Sequence, residues 1–238
     1  MKKILHPASS RGGMDLGWLQ AKYSFSFAQF FDPSRVQFGM LRVLNDDRIA
    51  PSMGFGAHPH DNMEIITIPQ SGAIKHKDSM GNSGVVSAGD IQVMSAGSGV
   101  QHSEINASTE EELSLFQIWV FPQERDVTPR YDQKPIAPLI VPNSFSTVVR
   151  PKEEADEDQL WIHQQAYFNL GTFTEKIKTT YSLNKPGHGA YLLVIEGTAQ
   201  IEDDVLNSRD AAGFWETSEI PITAEAGSRL LLIEVPMN

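Results

Sequence analysis

Hydrophobic and polar residues alternate in short segments along most of the chain, and turn-forming residues separate the segments. Residues 64–69 are apolar and rich in β-branched side chains, residues 73–77 and 91–94 follow as further short segments, and residues 113–121 form a longer apolar run. Glycine, asparagine and aspartate cluster between these runs. Short apolar runs bounded by turn residues predict β-strands. No segment in the first half of the chain keeps a helical period, so the pattern there predicts an all-β barrel or sandwich.

An aromatic segment precedes these strands. Tyr23, Phe25 and Phe27 alternate with small polar residues, which predicts a half-buried strand. Residues 32–33 and 45–47 (Asn-Asp-Asp) are typical of turns. We interpret the aromatic stripe as core packing, because buried aromatic rings chiefly supply apolar area, with a pocket wall as the alternative.

The second half of the chain repeats the first. Residues 191–197 resemble residues 64–72, since each segment is an apolar strand followed by a glycine turn. Residues 230–236 likewise resemble residues 115–122. Internal similarity of this kind indicates duplication of one barrel.

Composition narrows the function classes. The 238 residues suffice for one large domain or two of ordinary size. There is no cysteine, so disulfides, thiolate metal sites and a cysteine nucleophile are excluded. The net charge of −11 comes without any cluster of lysine and arginine, which argues against direct binding of nucleic acid.

The same features predict where the protein works. The apolar segment near residue 4 is too short for a signal peptide. No apolar run approaches the roughly 18 residues that a membrane span needs. We therefore expect a cytoplasmic protein with no membrane contact, and the oligomeric state stays open, a monomer included.

Two short stretches carry paired metal-binding side chains. His58 and His60 are separated by one residue, and so are His102 and Glu104. Side chains at i and i+2 leave the same face of a strand. Two such strands side by side would aim three imidazoles and one carboxylate at one interior point, which predicts a metal site.

The alternative for each pair is chance or a hydrogen-bonded core histidine. The matched spacing of the second pair favours the metal site. The chain has seven histidines, and the four without such a partner are interpreted as surface or ordinary core residues: His6, His76, His163 and His188.

The second half of the chain lacks these metal-binding side chains. It contains no His-x-His pair, and Thr217 stands where His102 stands in the first half. Glu219 alone does not make a metal site. The sequence therefore predicts one metal per chain.

Several segments together resemble the pirin family of bicupins, within the cupin superfamily. They are residues 17–19, 25–27, 41–47, 80–82 and 95–104, and residues 58–64 and 102–106 resemble the two motifs of cupins in general. The resemblance implies two tandem cupin β-barrels, which we place at residues 1–135 and 136–238. It also implies one metal, usually iron, in the N-terminal barrel.

The resemblance also implies a ligand set. The family's three histidines and one glutamate fall on His58, His60, His102 and Glu104. Cupins in general would recruit Glu64 instead, so Glu64 is the alternative ligand, and otherwise we expect it to support the ligands. Such ligands suit Fe, Mn, Co, Ni, Cu or Zn, so the choice of iron rests on the resemblance.

Some bacterial pirin-like proteins resemble quercetin 2,3-dioxygenases, which cleave a flavonol with dioxygen and release carbon monoxide. The resemblance implies a small aromatic or enol substrate, dioxygen, and Glu104 or Glu64 as acceptor of the hydroxyl proton. One alternative is a non-catalytic, metal-binding regulatory or sensor protein that acts through protein partners. Another is an isomerase with a sugar-like substrate, since the fold alone does not decide function.

A flavonol pocket would need apolar walls. Four apolar side chains near the site strands are candidates, and each of them could equally be barrel core: Met53, Phe55, Met94 and Phe116.

Overall fold

The protein, described over residues 1–238 by a computed structural model, consists of β-strands joined by short loops. Its helical segments are three 3₁₀ turns, Ala8–Ser10, Ala137–Leu139 and Lys152–Glu154, and no helix is long or apolar enough to cross a membrane. The strands before residue 136 are β1 Lys2–His6, β2 Gly12–Asp15, β3 Leu19–Tyr23, β4 Leu41–Ile49, β5 Gly54–His60, β6 Glu64–Ser71, β7 Ala73–Asp78, β8 Ser83–Ser87, β9 Asp90–Ser95, β10 Val100–Asn106, β11 Leu113–Val120 and β12 Arg130–Pro135. The strands after it are β13 Phe145–Pro151, β14 Leu160–Ile162, β15 Tyr167–Phe173, β16 Ile177–Ser182, β17 His188–Glu196, β18 Thr198–Ile201, β19 Asp204–Asn207, β20 Ala211–Trp215, β21 Glu219–Ala224 and β22 Ser228–Pro236.

The strands form four sheets, two in each half of the chain. The first half has a seven-stranded sheet, ordered β12-β9-β6-β11-β4-β3-β2, and a four-stranded sheet, ordered β5-β10-β7-β8. The second half has the orders β1-β20-β17-β22-β15-β13-β14 and β16-β21-β18-β19. Corresponding strands hold corresponding places, since β6 lies between β9 and β11 as β17 lies between β20 and β22. The predicted all-β fold of two tandem cupin barrels is confirmed.

Strand β1 pairs with a sheet of the second half of the chain, not with the first half to which it belongs in sequence. β1 pairs in antiparallel register with β20, so Lys2 lies opposite Trp215 and His6 opposite Ala211. The division at residues 1–135 and 136–238 therefore does not match the strand pairing at this point. An edge strand of the second barrel comes from the start of the first segment.

Residues 45–47 lie inside β4, so the predicted turn is wrong. β4 is held between β3 and β11, and this pairing outweighs the local turn preference of Asn-Asp-Asp. Asp46 faces the outside of the barrel, where Arg11 and Arg209 approach it at 3.2 and 3.4 Å. Asn45 and Asp47 face the interior.

The aromatic segment also differs from its prediction. β3 ends at Tyr23. Phe25 is buried in the core between the barrels, and Phe27 forms only an isolated bridge with Phe30. The alternation of residues 23–27 therefore marks the exit from a strand. Phe25 is core as interpreted, whereas Tyr23 and the partly buried Phe27 also line a cavity inside the first barrel, which is the pocket-wall alternative.

The largest hydrophobic cluster joins the two halves. It contains 24 buried residues, among them Ile66 and Phe116 of the first half and Tyr191 and Leu231 of the second. The second barrel has its own interior cluster of 15 buried apolar residues. The matching interior cluster of the first barrel has 8, and polar side chains occupy much of the rest.

Candidate metal centre

Neighbouring strands bring the three predicted histidines together. In the β5–β10 pair, His102 lies directly opposite His58, and Val100 lies opposite His60. The ring centroids are 4.5 Å apart for His58 and His102, and 4.9 Å apart for each of the other two pairs. One ring nitrogen from each histidine lies within 4.8 Å of the others. This spacing fits three ligands around one ion.

A glycine allows the two strands to approach this closely. At Gly54, the first residue of β5, a Cβ atom would lie 2.2 Å from the carbonyl oxygen of Glu104. Any side chain there would push β5 away from β10. The register of the pair also shifts between His102 and Glu104, a bulge that re-aims side chains next to the site.

Glu104 is buried, at 1% exposure, and three side chains hold its carboxylate. Thr67 and Gln92 donate hydrogen bonds to Oε1 at 3.2 and 3.1 Å, and Gln117 donates to Oε2 at 2.8 Å. A carboxylate that accepts several hydrogen bonds is fixed in orientation. Glu104 is therefore placed to act as a ligand or as a proton acceptor beside the histidines.

The three donors belong to a polar row that crosses the large sheet. Gln92, Thr67 and Gln117 lie opposite one another on β9, β6 and β11. The row continues through Asn45 on β4 to Tyr23 on β3. Neighbouring strands are about 4.8 Å apart, so the row connects Glu104 to the far wall of the barrel.

His76 joins the cluster, although its sequence context predicts a surface or ordinary core residue. β10 pairs with β7 on its other side, which places His76 opposite Glu104 and Asp78 opposite His102. A ligand atom of His76 lies within 4.8 Å of those of His102 and Glu104. The His76 ring also hydrogen-bonds to Asp78 at 3.1 Å. The signal that could have found it is the His-x-Asp spacing of residues 76 and 78, which matches the other two pairs.

Burial keeps the imidazoles of His60 and His102 neutral. Burial lowers the pKa of His60 to about 4, and the nearby His102 and His58 add to this. The pKa of His102 falls to about 3, first because of burial and then because of His58 and His76. Neutral imidazoles keep a free lone pair for a metal at pH 7.

The unpaired nitrogens of the cluster also fit a metal. His102 is 2% exposed, and neither of its ring nitrogens has a hydrogen-bond partner. His58 uses Nδ1 to contact the carbonyl oxygen of Gly56 at 2.8 Å, which leaves Nε2 for a ligand. Buried polar atoms are nearly always satisfied, so a bound ion explains what would otherwise be a costly arrangement.

Glu64 is not part of this cluster. Its carboxylate accepts a hydrogen bond from Ser95 at 2.7 Å and lies near Arg130. It leaves β6 on the face of Ile66, which packs between the barrels, whereas Thr67 on the other face reaches Glu104. The expectation that Glu64 borders the ligands is therefore corrected, because residues 61–63 interrupt the strand and change its parity.

A cavity of about 180 Å³ opens beside the histidines. Its lining comes mostly from β3, β4, β5 and β11, and is largely apolar. The residues are Met14, Leu19, Ala21, Tyr23, Phe27, Asn45, Asp47, Phe55, His58, His60, Glu104, Gln117 and Trp119. Trp119 packs edge-to-face on His60, with ring centroids 4.9 Å apart.

Of the four apolar residues predicted for the pocket wall, only Phe55 lines it. Met94 and Phe116 are buried in hydrophobic clusters, and Met53 is 43% exposed at the surface. Asn45 and Asp47, in the segment whose sequence predicts a turn, instead supply two of the polar lining residues.

The remaining histidines do not gather ligands. His6 is buried and hydrogen-bonds to the Tyr191 hydroxyl at 2.8 Å. His188 donates to Glu234 at 2.8 Å inside the second barrel. Both possible metal clusters lie in the first half of the chain.

Comparison with known proteins agrees with this geometry. Residues 5–120 match the family model Pirin, and residues 148–235 match the model described as the quercetinase C-terminal cupin domain. A pirin-like protein of Caulobacter vibrioides is 42% identical, over 96% of this chain and 97% of that protein. The chain belongs to the pirin family.

Other pirins extend the similarity over the full length. The quercetin 2,3-dioxygenase of Escherichia coli is 36% identical to this pirin over 98% of each chain. The crystal structure of the bacterial pirin YhhW from Escherichia coli in complex with nickel(II) superposes with a TM-score of 0.91, at 34% identity, and covers 99% of each chain. The predicted resemblance to bicupin pirins is confirmed.

Proposed function

We propose that this pirin is a metal-dependent dioxygenase that cleaves quercetin or a related flavonol and releases carbon monoxide. One observation carries the proposal. The aromatic cavity shares side chains with both possible metal-ligand groups, since His58 and His60 of one group and Glu104 of the other line it. The two groups share His102. A flat apolar substrate in the cavity would therefore present its polar edge to the cluster. Relatives that carry the name quercetin 2,3-dioxygenase support the assignment.

The ligands proposed for the ion are His58, His60, His102 and Glu104. Iron is the proposed metal, with manganese, cobalt, nickel, copper and zinc as alternatives that the same ligands accept. Nickel(II) is the ion in the YhhW complex. When bound, the ion supplies Lewis acidity at the hydroxyl and keto oxygens of the flavonol.

The chain's own residues supply a proton acceptor and an orienting wall. Glu104 lines the cavity, and hydrogen bonds donated by Gln117 and Gln92 hold its carboxylate in place. We propose that Glu104 accepts the proton of the flavonol hydroxyl, because a fixed carboxylate within hydrogen-bond reach of an acidic hydroxyl is a suitable general base. Trp119 and Phe27 pack edge-to-face at 5.4 Å and would exclude water from the ring face.

The proposal is tested by gas release. Protein stripped of metal is reloaded anaerobically with iron, manganese, cobalt, nickel or copper, and each form is mixed with quercetin and dioxygen. We expect oxygen consumption with formation of carbon monoxide in at least one metal form. His60→Ala should abolish both, because it removes a proposed ligand that also lines the cavity.

His163→Ala is the matched control, since His163 lies outside the cavity and the cluster. It should keep both the oxygen consumption and the gas release. If no metal form produces carbon monoxide above the metal-only control, the dioxygenase assignment fails. A change in quercetin absorbance without gas would favour the sensor alternative, in which the same cavity binds a ligand and signals through protein partners.

A further inference from the structure

Two polar side chains in the cavity lack hydrogen-bond partners in the protein. Asn45 and Asp47 lie two residues apart on β4 and are 3% and 4% exposed. The Oδ1 atom of each is buried without a partner, and both residues line the cavity. Leaving buried polar atoms unpaired lowers stability. Such atoms beside a cavity are available to a bound molecule.

The positions of Asn45 and Asp47 on the sheet determine which part of a molecule bound in the cavity would contact them. Asn45 lies opposite Gln117 on β11, and Gln117 donates to Glu104 at 2.8 Å. Asp47 lies opposite Ala21 and Leu115, which offer no polar side chain. Since strands are about 4.8 Å apart, Asn45 and Asp47 lie further across the sheet than Gln117 from the carboxylate at the metal cluster. The cavity therefore has one polar end at the histidines and a second on β4.

The surroundings make Asp47 a hydrogen-bond donor. Burial raises the pKa of Asp47 to about 8, and the negative charges of Asp46 and Glu104 contribute. No basic side chain forms a salt bridge with it. A neutral carboxylic acid donates one hydrogen bond and accepts others. Asn45 Oδ1, by contrast, is an acceptor.

We propose that Asn45 and Asp47 are specificity-determining residues that bind a phenolic hydroxyl on the part of the substrate away from the histidines. This inference rests on the proposed function, because it takes the hydroxy-keto edge of a flavonol to lie at the metal cluster. The phenolic O–H donates to Asn45 Oδ1, and its oxygen accepts from the Asp47 carboxylic acid. The site then selects hydroxylated flavonols over bare ones, because an apolar ring would leave both groups unpaired.

Paired ligands test the assignment without turnover. Metal-loaded protein is titrated anaerobically with quercetin and with 3-hydroxyflavone, which keeps the hydroxy-keto unit but has no other hydroxyl. Binding is followed by ligand absorbance. The wild-type protein should prefer quercetin by about 10-fold, the net value of the hydrogen bonds to Asn45 and Asp47 after desolvation of the hydroxyl. Asp47→Leu and Asn45→Leu should each remove most of that preference and leave the Kd of 3-hydroxyflavone within about 2-fold.

Two further variants separate recognition from structure. Asp47→Asn keeps the size and a donor, so it should retain part of the preference. Arg48→Gln is the matched control, because Arg48 follows Asp47 on β4 and is exposed. It should behave as wild type. Metal content and circular dichroism of each variant show whether the barrel and its cluster remain intact.

The outcomes distinguish the two proposals. The assignment of Asn45 and Asp47 would be overturned if both leucine variants kept the wild-type preference for quercetin. It would also be overturned if these variants bound quercetin and 3-hydroxyflavone more weakly by the same factor. If the preference depends on these residues but carbon monoxide is never formed, the specificity site stands and the dioxygenase proposal fails. If the wild-type protein binds neither flavonol, both are overturned.

Discussion

At the scale of single residues, the interior of the first barrel holds side chains in states that water would not favour. His60 and His102 are neutral because burial lowers their pKa. Asp47 is protonated because burial raises its pKa. Each state matches a proposed role, since neutral imidazole offers a lone pair to a metal and a carboxylic acid donates a hydrogen bond. Environment thus decides the chemistry that residue type alone leaves open.

Substitutions at different residues of the cluster should weaken metal binding by different amounts. His58→Ala or His102→Ala should remove most bound metal while the β-rich circular dichroism remains, because the hydrophobic clusters do not include these side chains. His76→Gln should weaken affinity by about 10- to 100-fold, as for residues that contact ligands without being ligands. Competition with a chelator measures each affinity. Loss from His76→Gln as large as from His58→Ala would make His76 a ligand, and no loss would make its role structural.

Glu64 should give the metal-free protein a distinct pH dependence. Burial raises the pKa of Glu64 to about 7, whereas in the unfolded chain it stays near 4.3. Its contribution to stability is therefore complete below about pH 4.3 and is lost as the pH rises through 7, since the folded state holds a proton that the unfolded state releases. The loss is at most about 1.4 kcal/mol per pH unit between these values.

Urea unfolding at several pH values checks this. Between pH 5 and 7, Glu64→Gln should flatten the fall in the free energy of unfolding by about 2 kcal/mol relative to wild type. Glu110→Gln, at an exposed position, should leave the slope unchanged. Identical slopes for wild type and Glu64→Gln would show that Glu64 is ionised in the fold.

At the scale of strands, the two i, i+2 pairs were readable from the sequence because side-chain parity is a local property. His58 and His60 share a face of β5, and His102 faces them from β10. The third strand was not readable. His76 and Asp78 enter the cluster through the β7–β10 register, which depends on pairing between distant segments.

The same limit explains the errors on β4 and at Glu64. Residues 45–47 have the local chemistry of a turn, and only their partners on β3 and β11 keep them extended. Glu64 lies an even number of residues from His60, but residues 61–63 break the strand between them. Side-chain parity is maintained along a strand and is lost across a loop, so the presence of these strands could be predicted while these orientations could not.

The duplicated strands predict one metal per chain. β21 takes the place of β10 in the second barrel, but it begins at Glu219 and carries no histidine. The two possible clusters of the first barrel share His102, so two ions would compete for one ligand. Elemental analysis of the purified protein should give about one equivalent of metal per chain. Two tightly held equivalents would contradict this.

At the scale of the whole molecule, the two barrels share one large core. Its 24 buried residues come from both halves, so neither half buries its apolar face alone. We expect a single cooperative unfolding transition, in which the calorimetric and van't Hoff enthalpies agree. Scanning calorimetry of the metal-free protein measures both. Two resolved transitions would show that the barrels are energetically independent.

Strand β1 has a consequence for how the chain is made. The ribosome releases β1 before the rest of either barrel, yet its partner β20 ends at Trp215. Until then β1 has no sheet to join, and an unpaired strand edge can pair with another molecule instead. Contacts between such distant segments also form late in folding. In a crowded polysome, where nascent chains lie side by side, β1 of one chain can reach β20 of its neighbour, which makes strand exchange during translation the route by which this fold would produce intertwined dimers.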